Sequence, residues 1–355
     1  MNVARGKFLV LLPLGALVIA ACGGGGGTEP ADTTGAATTT TTTTTTSLPT
    51  TTTTVVPTTT TTTLTFPYDF TQHPGTPLIT PGAWDPGYTA VPHVVQHDGE
   101  WLMFYSGGTG GRSSALGLAR SADGLMWEKS PDQAIFEGPG RGVSWNYARL
   151  VGDEWVMWYT TGYTLGYRRL NRATAPAPEG PWTEDELTIE DPSNEWNDRI
   201  LPTGFSQIGE SYLIPYAGFP DGVSPPSIGL LRSPDGETWQ STEDPIYRPQ
   251  PGTWTEYGVV PTNIVETPAG LELFFLGFDR PVTIAIEAET LKLGRLVSTD
   301  GGATWEADND GQPVIDTFER GWPGISVVYL DGEYRLYMGH ELGGAGIALI
   351  TGMIP

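Results

Sequence analysis

The chain has 355 residues, with 18 Lys and Arg against 41 Asp and Glu, a formal net charge of -23 and a single Cys. So acidic a protein repels phosphate backbones and anionic headgroups, which argues against nucleic acid as a partner, and one Cys permits neither an internal disulfide nor a Cys/His zinc site. With 47 Gly, 31 Pro and only 17% charged residues, composition favours turn-rich β structure over helical bundles and coiled coils.

Residues 1–21 read as an export signal. Arg5 and Lys7 supply a basic start, and an apolar run follows that is short for a membrane-spanning helix. Its end, Val18-Ile19-Ala20-Ala21-Cys22, resembles the lipobox of bacterial lipoproteins, which implies lipidation at Cys22 and anchoring to the outer face of a cell-envelope membrane. A plain signal peptide or an uncleaved anchor with an incidental Cys is the alternative. Residues 22–65 are a glycine patch followed by threonine tracts with scattered Pro. A segment without an apolar period buries no core, so a disordered stalk is expected there, with a composition suited to O-glycosylation. Only Arg5, Lys7, Glu29 and Asp32 are charged before residue 66, so the net charge of -23 belongs to residues 66–355.

From Phe66 the sequence repeats with a period of roughly 54 to 63 residues, a spacing typical of propeller blades. An aromatic strand recurs five times: Glu100-Trp-Leu-Met-Phe-Tyr105, Glu154-Trp-Val-Met-Trp-Tyr159, Ser211-Tyr-Leu-Ile-Pro-Tyr216, Leu271-Glu-Leu-Phe-Phe275 and Glu333-Tyr-Arg-Leu-Tyr337. A strand built around Gly follows each, as in Leu116-Gly117, Ile228-Gly229 and Leu293-Gly294. Three of these lead into Ser-x-Asp-Gly turns that end on Trp127, Trp239 and Trp305, with Asp and Gly setting the turn and Trp packing it on the sheet. A fourth short strand is expected at 133–136, 187–189, 245–247 and 313–315. The fifth unit has none, but residues 76–80 carry the same pattern. The expected fold is therefore all-β: a five-bladed propeller of four-stranded antiparallel blades, its ring closed by the N-terminal strand.

Each crossing between blades carries a Trp: Trp84, Trp145, Trp196, Trp254 and Trp322. Regular placement points either to packing between blades or to aromatic platforms that stack on sugar rings. The residues that follow are expected near the mouth of the central channel. They are Asp85 and His93; Asn146, Tyr147 and Arg149; Asn197, Asp198 and Arg199; Glu256, Tyr257 and Asn263; and Glu319 and Arg320. Three carboxylates from three blades, Asp85, Asp198 and Glu256, are the catalytic candidates, because glycosidic cleavage needs one carboxyl held protonated and another ionised. The substrate-binding candidates are Trp84, His93, Trp145, Tyr147, Arg149, Trp196, Arg199, Trp254, Tyr257, Arg320 and Trp322. These acids also have a structural reading, as caps of turns or partners of arginines at blade ends.

The repeat, the Ser298-Thr-Asp-Gly-Gly-Ala-Thr-Trp305 turn and the Ala173-Thr-Ala-Pro-Ala-Pro-Glu-Gly-Pro-Trp182 segment resemble the arabinanase, xylosidase, levansucrase and invertase superfamily over about residues 66–355. The resemblance implies a five-bladed propeller acting on a neutral poly- or oligosaccharide. It also exposes departures. Where arabinanase-type members carry an Asp-Pro whose Asp is the general base, this chain has Val91-Pro92. Asn146 stands where a second Asp is usual, and Asp198-Arg199-Ile200-Leu201-Pro202 where a Glu-Gly-Pro context is usual. A non-catalytic glycan-binding or adhesion propeller is the second reading. A sialidase-like site built on Arg149, Arg199, Arg320 and the Glu256-Tyr257 pair is the third, disfavoured by five repeats and the acidic balance. No metal site or cofactor is called for; a structural calcium has carboxylates in plenty but no motif behind it. A monomer with carbohydrate as partner is expected.

Overall fold

The computed structural model describes residues 68–354 apart from 110–113, 141, 162–168, 191–193, 222–223, 282–290, 317–320 and 341–345. The expected signal, Cys22 and the Thr-rich stalk lie outside the described residues, as do Glu319 and Arg320.

The first strand, β1 (Asp69–Gln72), is set apart from its sheet in sequence by almost the whole chain. Blade one is β2 (Tyr88–His97), β3 (Glu100–Gly108), β4 (Ala115–Ser121) and β5 (Glu128–Lys129); blade two is β6 (Val143–Val151), β7 (Glu154–Thr161), β8 (Arg169–Ala175) and β9 (Thr183–Glu190). Blade three has a divided inner strand, β10 (Arg199–Pro202) and β11 (Ser206–Ile208), followed by β12 (Ser211–Phe219), β13 (Ser227–Ser233) and β14 (Gln240–Ser241). Blade four is β15 (Val259–Thr267), β16 (Gly270–Phe278), β17 (Leu291–Ser298) and β18 (Glu306–Ala307). Blade five is β19 (Gly321–Leu330), β20 (Glu333–His340) and β21 (Gly346–Met353), and its outer strand is β1. All pairings within these sheets are antiparallel, so the five-bladed propeller with four-stranded blades is what forms.

The ring closes through two contacts. Asp69–Gln72 pairs with residues 350–353, and Ile79 makes a further bridge to Ile347. The 76–80 segment thus joins blade five as its sequence pattern predicts, while the regular strand ahead of it, β1, was not anticipated. The other blades repeat this arrangement. Their outer edges come in two pieces: a short strand after the turn Trp, then a single bridge at Phe136, Tyr247 or Ile315. These bridges fall on three of the expected fourth strands. Blade two alone has an unbroken outer strand, β9, which contains 187–189.

The turns before the outer strands are held by their own side chains. Asp123 Oδ1 accepts from the amides of Leu125 and Met126 at 2.8 and 2.9 Å, and Asp235 Oδ1 from Glu237 and Thr238 at 2.9 and 2.7 Å. Amide donation holds the carboxyls of Asp123 and Asp235 below the ordinary carboxylate range, and the Thr304 hydroxyl, followed by its amide, does the same for Asp300. They are occupied groups and offer no chemistry.

The Gly in each third strand has a packing cause. A Cβ on Gly117, Gly229 or Gly294 would stand 2.6, 2.5 or 2.7 Å from a ring carbon of Trp84, Trp196 or Trp254. Trp84, Trp196 and Trp254 therefore each lie on their own blade over a glycine. It also meets the aromatic of the neighbouring strand: Trp196 on Tyr216 and Trp254 on Phe275 are stacked at 5.8 and 5.4 Å between centroids, and Trp84 lies tilted on Tyr105 at 5.8 Å. One aromatic pair over one glycine is the repeating element of blades one, three and four.

Around the axis, side chains do the work that ladder hydrogen bonds do within a blade. Asn263 on blade four donates to the Val327 carbonyl and accepts from its amide, at 2.8 and 2.7 Å, pairing like a strand residue with blade five. Ser326 accepts from the Val94 amide at 3.0 Å, joining blade five to blade one. Ser206 bonds both backbone groups of Ile264 at 2.8 and 3.0 Å, and the Tyr147 hydroxyl donates to the Pro202 carbonyl at 3.0 Å. Asn146 donates to Ser106 at 3.0 Å, and Ser106 donates to the Ser144 carbonyl. The ring of blades is thus closed by polar contacts that satisfy backbone groups at its centre.

Candidate functional site at the propeller axis

All five inner strands break their register near the same height. The shifts fall at 90/93, 143/146, 261/264 and 321/325, and in blade three at the gap between β10 and β11. A bulge re-aims side chains and ends pairing locally, so five bulges around one axis define its lining. Val91 occupies the first. It is buried with φ at 50°, a left-handed conformation that costs a β-branched residue about 1–3 kcal/mol, and it packs where a Cβ on Gly324 would come within 2.9 Å of its Cα. The dipeptide at the expected base position is therefore an apolar wedge between blades one and five.

The three carboxylates do not hold one equivalent position in their blades. Asp198 and Glu256 hold equivalent positions in neighbouring blades: each lies two residues after a stacked Trp, Trp196 or Trp254, at the entrance to an inner strand. Asp198 is half-buried and Glu256 exposed. Asp85 is one residue out of this phase, directly after Trp84, and there it matches Asn197 and Thr255. All three cap their crossing loops. Asp85 accepts from the Gly82 amide at 2.6 Å, Asn197 from Asn194 at 3.1 Å, and Thr255 from Gln250 at 3.0 Å. Asp85 is 0% exposed, and both its oxygens bind Lys129 Nζ of the outer strand at 2.6 and 2.7 Å. That salt bridge, with Lys129 also within 5.8 Å of the Trp84 ring centre, fixes Asp85 in the blade rather than at the mouth. Breaking a buried pair leaves an uncompensated charge, so Asp85→Ala is expected to cost about 3–5 kcal/mol in urea unfolding. An unchanged midpoint would show that the pair carries no stability.

The aromatic candidates divide as well. Trp84, Trp196 and Trp254 have one ring face on a blade, and the indoles of Trp196 and Trp254 donate to the carbonyls of Glu243 and Gly311 at 2.9 and 2.8 Å. Trp145 and Tyr147 are buried within β6. Tyr257 is half-buried against the core beside Glu256, and Trp322 falls in the bulge of β19. Arg199 is half-buried at the start of β10, with its Nε unpartnered. Ser206 and Ser326, which tie the axis together, have no sequence signal beyond a lone Ser in an apolar strand.

Beyond the bulges, toward the hairpin ends of the inner strands, lies a cavity of about 240 Å3. His93, Arg149, Ser206, Gln207, Asn263 and Glu266 are among its lining residues. His93 and Arg149 therefore belong to this chamber, whereas Arg199 is not among its lining residues and Arg320 lies outside the described residues. His93 is 3% exposed, in edge contact with Tyr147 at 5.4 Å between centroids. Burial first, and the Arg149 charge second, hold its imidazole down at about 3, so it is neutral at physiological pH. Burial likewise lowers the Arg149 guanidinium, opposed only by Tyr212. No group of three or more His, Cys, Asp or Glu suited to a metal occurs among the described residues.

No family model matches the chain, and no curated protein matches it in sequence. Solved structures do match in fold. A glycosyl hydrolase from Bacteroides ovatus superposes with a TM-score of 0.56 at 17% identity, covering 80% of this chain and 94% of that one. The β-1,2-mannobiose phosphorylase of Listeria innocua, solved with β-1,2-mannobiose, gives 0.55 at 12% identity, covering 81% and 97%. A thermostable family-43 glycoside hydrolase gives 0.53 at 13% identity, covering 76% and 91%. The class of the domain is thus a five-bladed β-propeller of the kind found in glycoside hydrolases. At these identities the likeness is one of fold.

Proposed function

We propose that this chain is a glycan-active propeller that hydrolyses a neutral poly- or oligosaccharide at the mouth formed by the entrances of the inner strands. The observation that carries this reading is the pair Asp198 and Glu256, equivalent carboxylates on adjacent blades of a fold shared with glycoside hydrolases and a mannobiose phosphorylase. One acts as the acid that protonates the leaving oxygen, the other as the base that activates water or as the nucleophile. Arg199 and Tyr257, each adjacent in sequence to one of these acids, orient sugar hydroxyls or hold a carboxylate ionised. Asp198→Asn and Glu256→Gln are each expected to lower turnover by about 10²–10⁴-fold, whereas Asp85→Asn, where folded, keeps it. Equal activity in all three variants and wild type would remove the assignment.

The non-catalytic glycan-binding reading is favoured by two observations: Val91 is an apolar wedge where the resembling enzymes place their base, and Asp85 is engaged by Lys129. Export on a lipid anchor at Cys22, with the 22–65 stalk holding a monomeric propeller away from the membrane, completes the proposal. Loss of membrane association in Cys22→Ser, followed by detergent partition, tests the anchor.

A further inference from the structure

Outside the axis, the blades are also joined by arginines, and the reach is always forward. At each of the five interfaces an arginine of one blade meets the following blade. Arg120 of β4 donates to Glu179 in the turn of blade two. Arg172 of β8 lies 3.9 Å from Glu237 in the turn of blade three, and Arg232 of β13 donates to the Gly302 carbonyl in the turn of blade four. Arg295 of β17 donates to the Tyr334 hydroxyl of blade five at 3.2 Å. Arg335 of β20 donates to the Asp123 carbonyl in the turn of blade one at 2.6 Å, which brings the belt back to its start.

Register accounts for the common direction. Arg120 and Arg232 stand opposite Leu102 and Leu213, directly before the Ser of their own turns. Arg172 and Arg295 stand opposite Trp158 and Phe274, two places earlier in the third strand. Residues two apart in a strand share a face, so all four leave their blade on the side of the next. Four of the five guanidiniums are also tied to their own blade: Arg120 to Glu100, Arg172 to Asp185, Arg295 to Glu272 and Asp308, and Arg335 to Glu333. The planar fork allows one arm within the blade and one across the interface, which a point charge on a lysine does not. Arg232 reaches forward without a carboxylate of its own blade among the described residues.

We propose that these arginines couple the blades one way round the ring, each fixing the turn of the blade after it. The order of a turn then depends on an arginine of the preceding blade as well as on its own Ser and Asp. Blade five has its outer strand from the N-terminus instead of after such a turn. There the bond from Arg295 falls on Tyr334, next to Arg335, which carries the contact on to blade one. The coupling is independent of the proposed hydrolysis.

The test is hydrogen exchange of the full-length chain, read at single amides. Arg232→Met keeps the apolar stem and removes the fork. The Gly302 and Thr304 amides, held by Ser298 and Asp300 in the turn of blade four, are then expected to exchange about tenfold faster, as loss of one charge-assisted hydrogen bond implies. The Gly236 and Thr238 amides in blade three's own turn should stay within about twofold, although Ser233 adjoins the substitution. A merely local disturbance would read the other way, since Gly302 lies 70 residues from Arg232. Arg335→Met should likewise speed Leu125 and Met126 in blade one while the β20–β21 ladder keeps its protection. Thermal melting shows which variants fold, and if Arg232→Met does not, Arg232→Lys, with the charge but not the fork, should speed the same amides severalfold. Acceleration confined to the substituted blade's own turn, equal acceleration in both turns, or no change in either would overturn the proposal.

Discussion

Removing residues 66–79 is expected to abolish the cooperative melting transition of the propeller. The loss reaches far beyond the few residues deleted, because β1 is the outer strand of a blade whose other three strands come from the opposite end of the chain. Asp69–Gln72 supplies the ladder to β21, and Ile79 adds the bridge to Ile347. Phe70 is 1% exposed and belongs to the same apolar cluster as Tyr334 and Leu336 of β20, and a Cβ on Gly352 would stand 2.4 Å from its ring. Without these contacts β21 becomes an open edge, and the first and last blades keep only side-chain contacts, among them those of Arg335 and Tyr337 with the Asp123-Gly124 turn and of Ser326 with Val94. A milder probe separates strand pairing from packing. Phe70→Ala alone is expected to cost about 3–5 kcal/mol, the usual loss for a buried aromatic truncated to Ala. For a domain of this size that lowers the melting temperature by roughly 10 °C. A deletion that melts like the intact chain would mean that β1 does not close the ring.

The second large effect is expected at Glu272. This residue of β16 is 1% exposed, and its carboxylate gathers three donors: Arg295 at 3.0 Å, the Tyr334 hydroxyl at 2.8 Å and the Thr267 hydroxyl at 2.7 Å. Arg295 in turn binds Asp308 through Nε and Nη2 at 2.9 and 2.6 Å. The cluster links blade four to blade five through Tyr334. Glu272→Ala leaves the Arg295 guanidinium only Asp308 as a carboxylate partner and takes the carboxylate acceptor from two hydroxyls, and a loss of about 3–5 kcal/mol is expected in urea unfolding. Glu272→Gln keeps the shape and one acceptor oxygen, so it should lose less. If the two variants unfold at the same concentration of urea as the wild type, the cluster is surface decoration and not a clasp between blades.

How much of this was legible in the residues depends on whether a feature repeats. The blades were, because the aromatic strand and the glycine strand recur in the same order in every unit, and each copy supports the reading of the others. The cause of the glycine was not. Leu116-Gly117 and Ile228-Gly229 show only that something small is needed, and the indole lying over each appears once the crossing loop folds back. The same loop explains the difficulty with the acids. Asp85, Asp198 and Glu256 all follow a Trp, but Asp85 follows by one residue and the others by two. That single step separates a loop cap bound to Lys129 from two entrance carboxylates. Neighbours in sequence cannot reveal it, since the Lys129 that engages Asp85 lies 44 residues away. The axis was hidden for a different reason. Its contacts run between blades through single Ser, Asn and Tyr side chains, and Ser206 or Ser326 in a strand looks like any other half-polar residue. His93 and Arg149 were visible as polar residues on inner strands, but the register that turns them into the lower chamber rather than the mouth comes from the bulges.

The most direct test of the account is release of reducing sugar by the full-length chain from a panel of arabinan, xylan, fructan, mannan and glucan. The account predicts release from at least one of these polysaccharides, collapsing in both Asp198→Asn and Glu256→Gln while folded Asp85→Asn retains it. No release from any of them, with the chain retained on one of the same polysaccharides, would contradict hydrolysis and make this a propeller that holds glycans without cutting them.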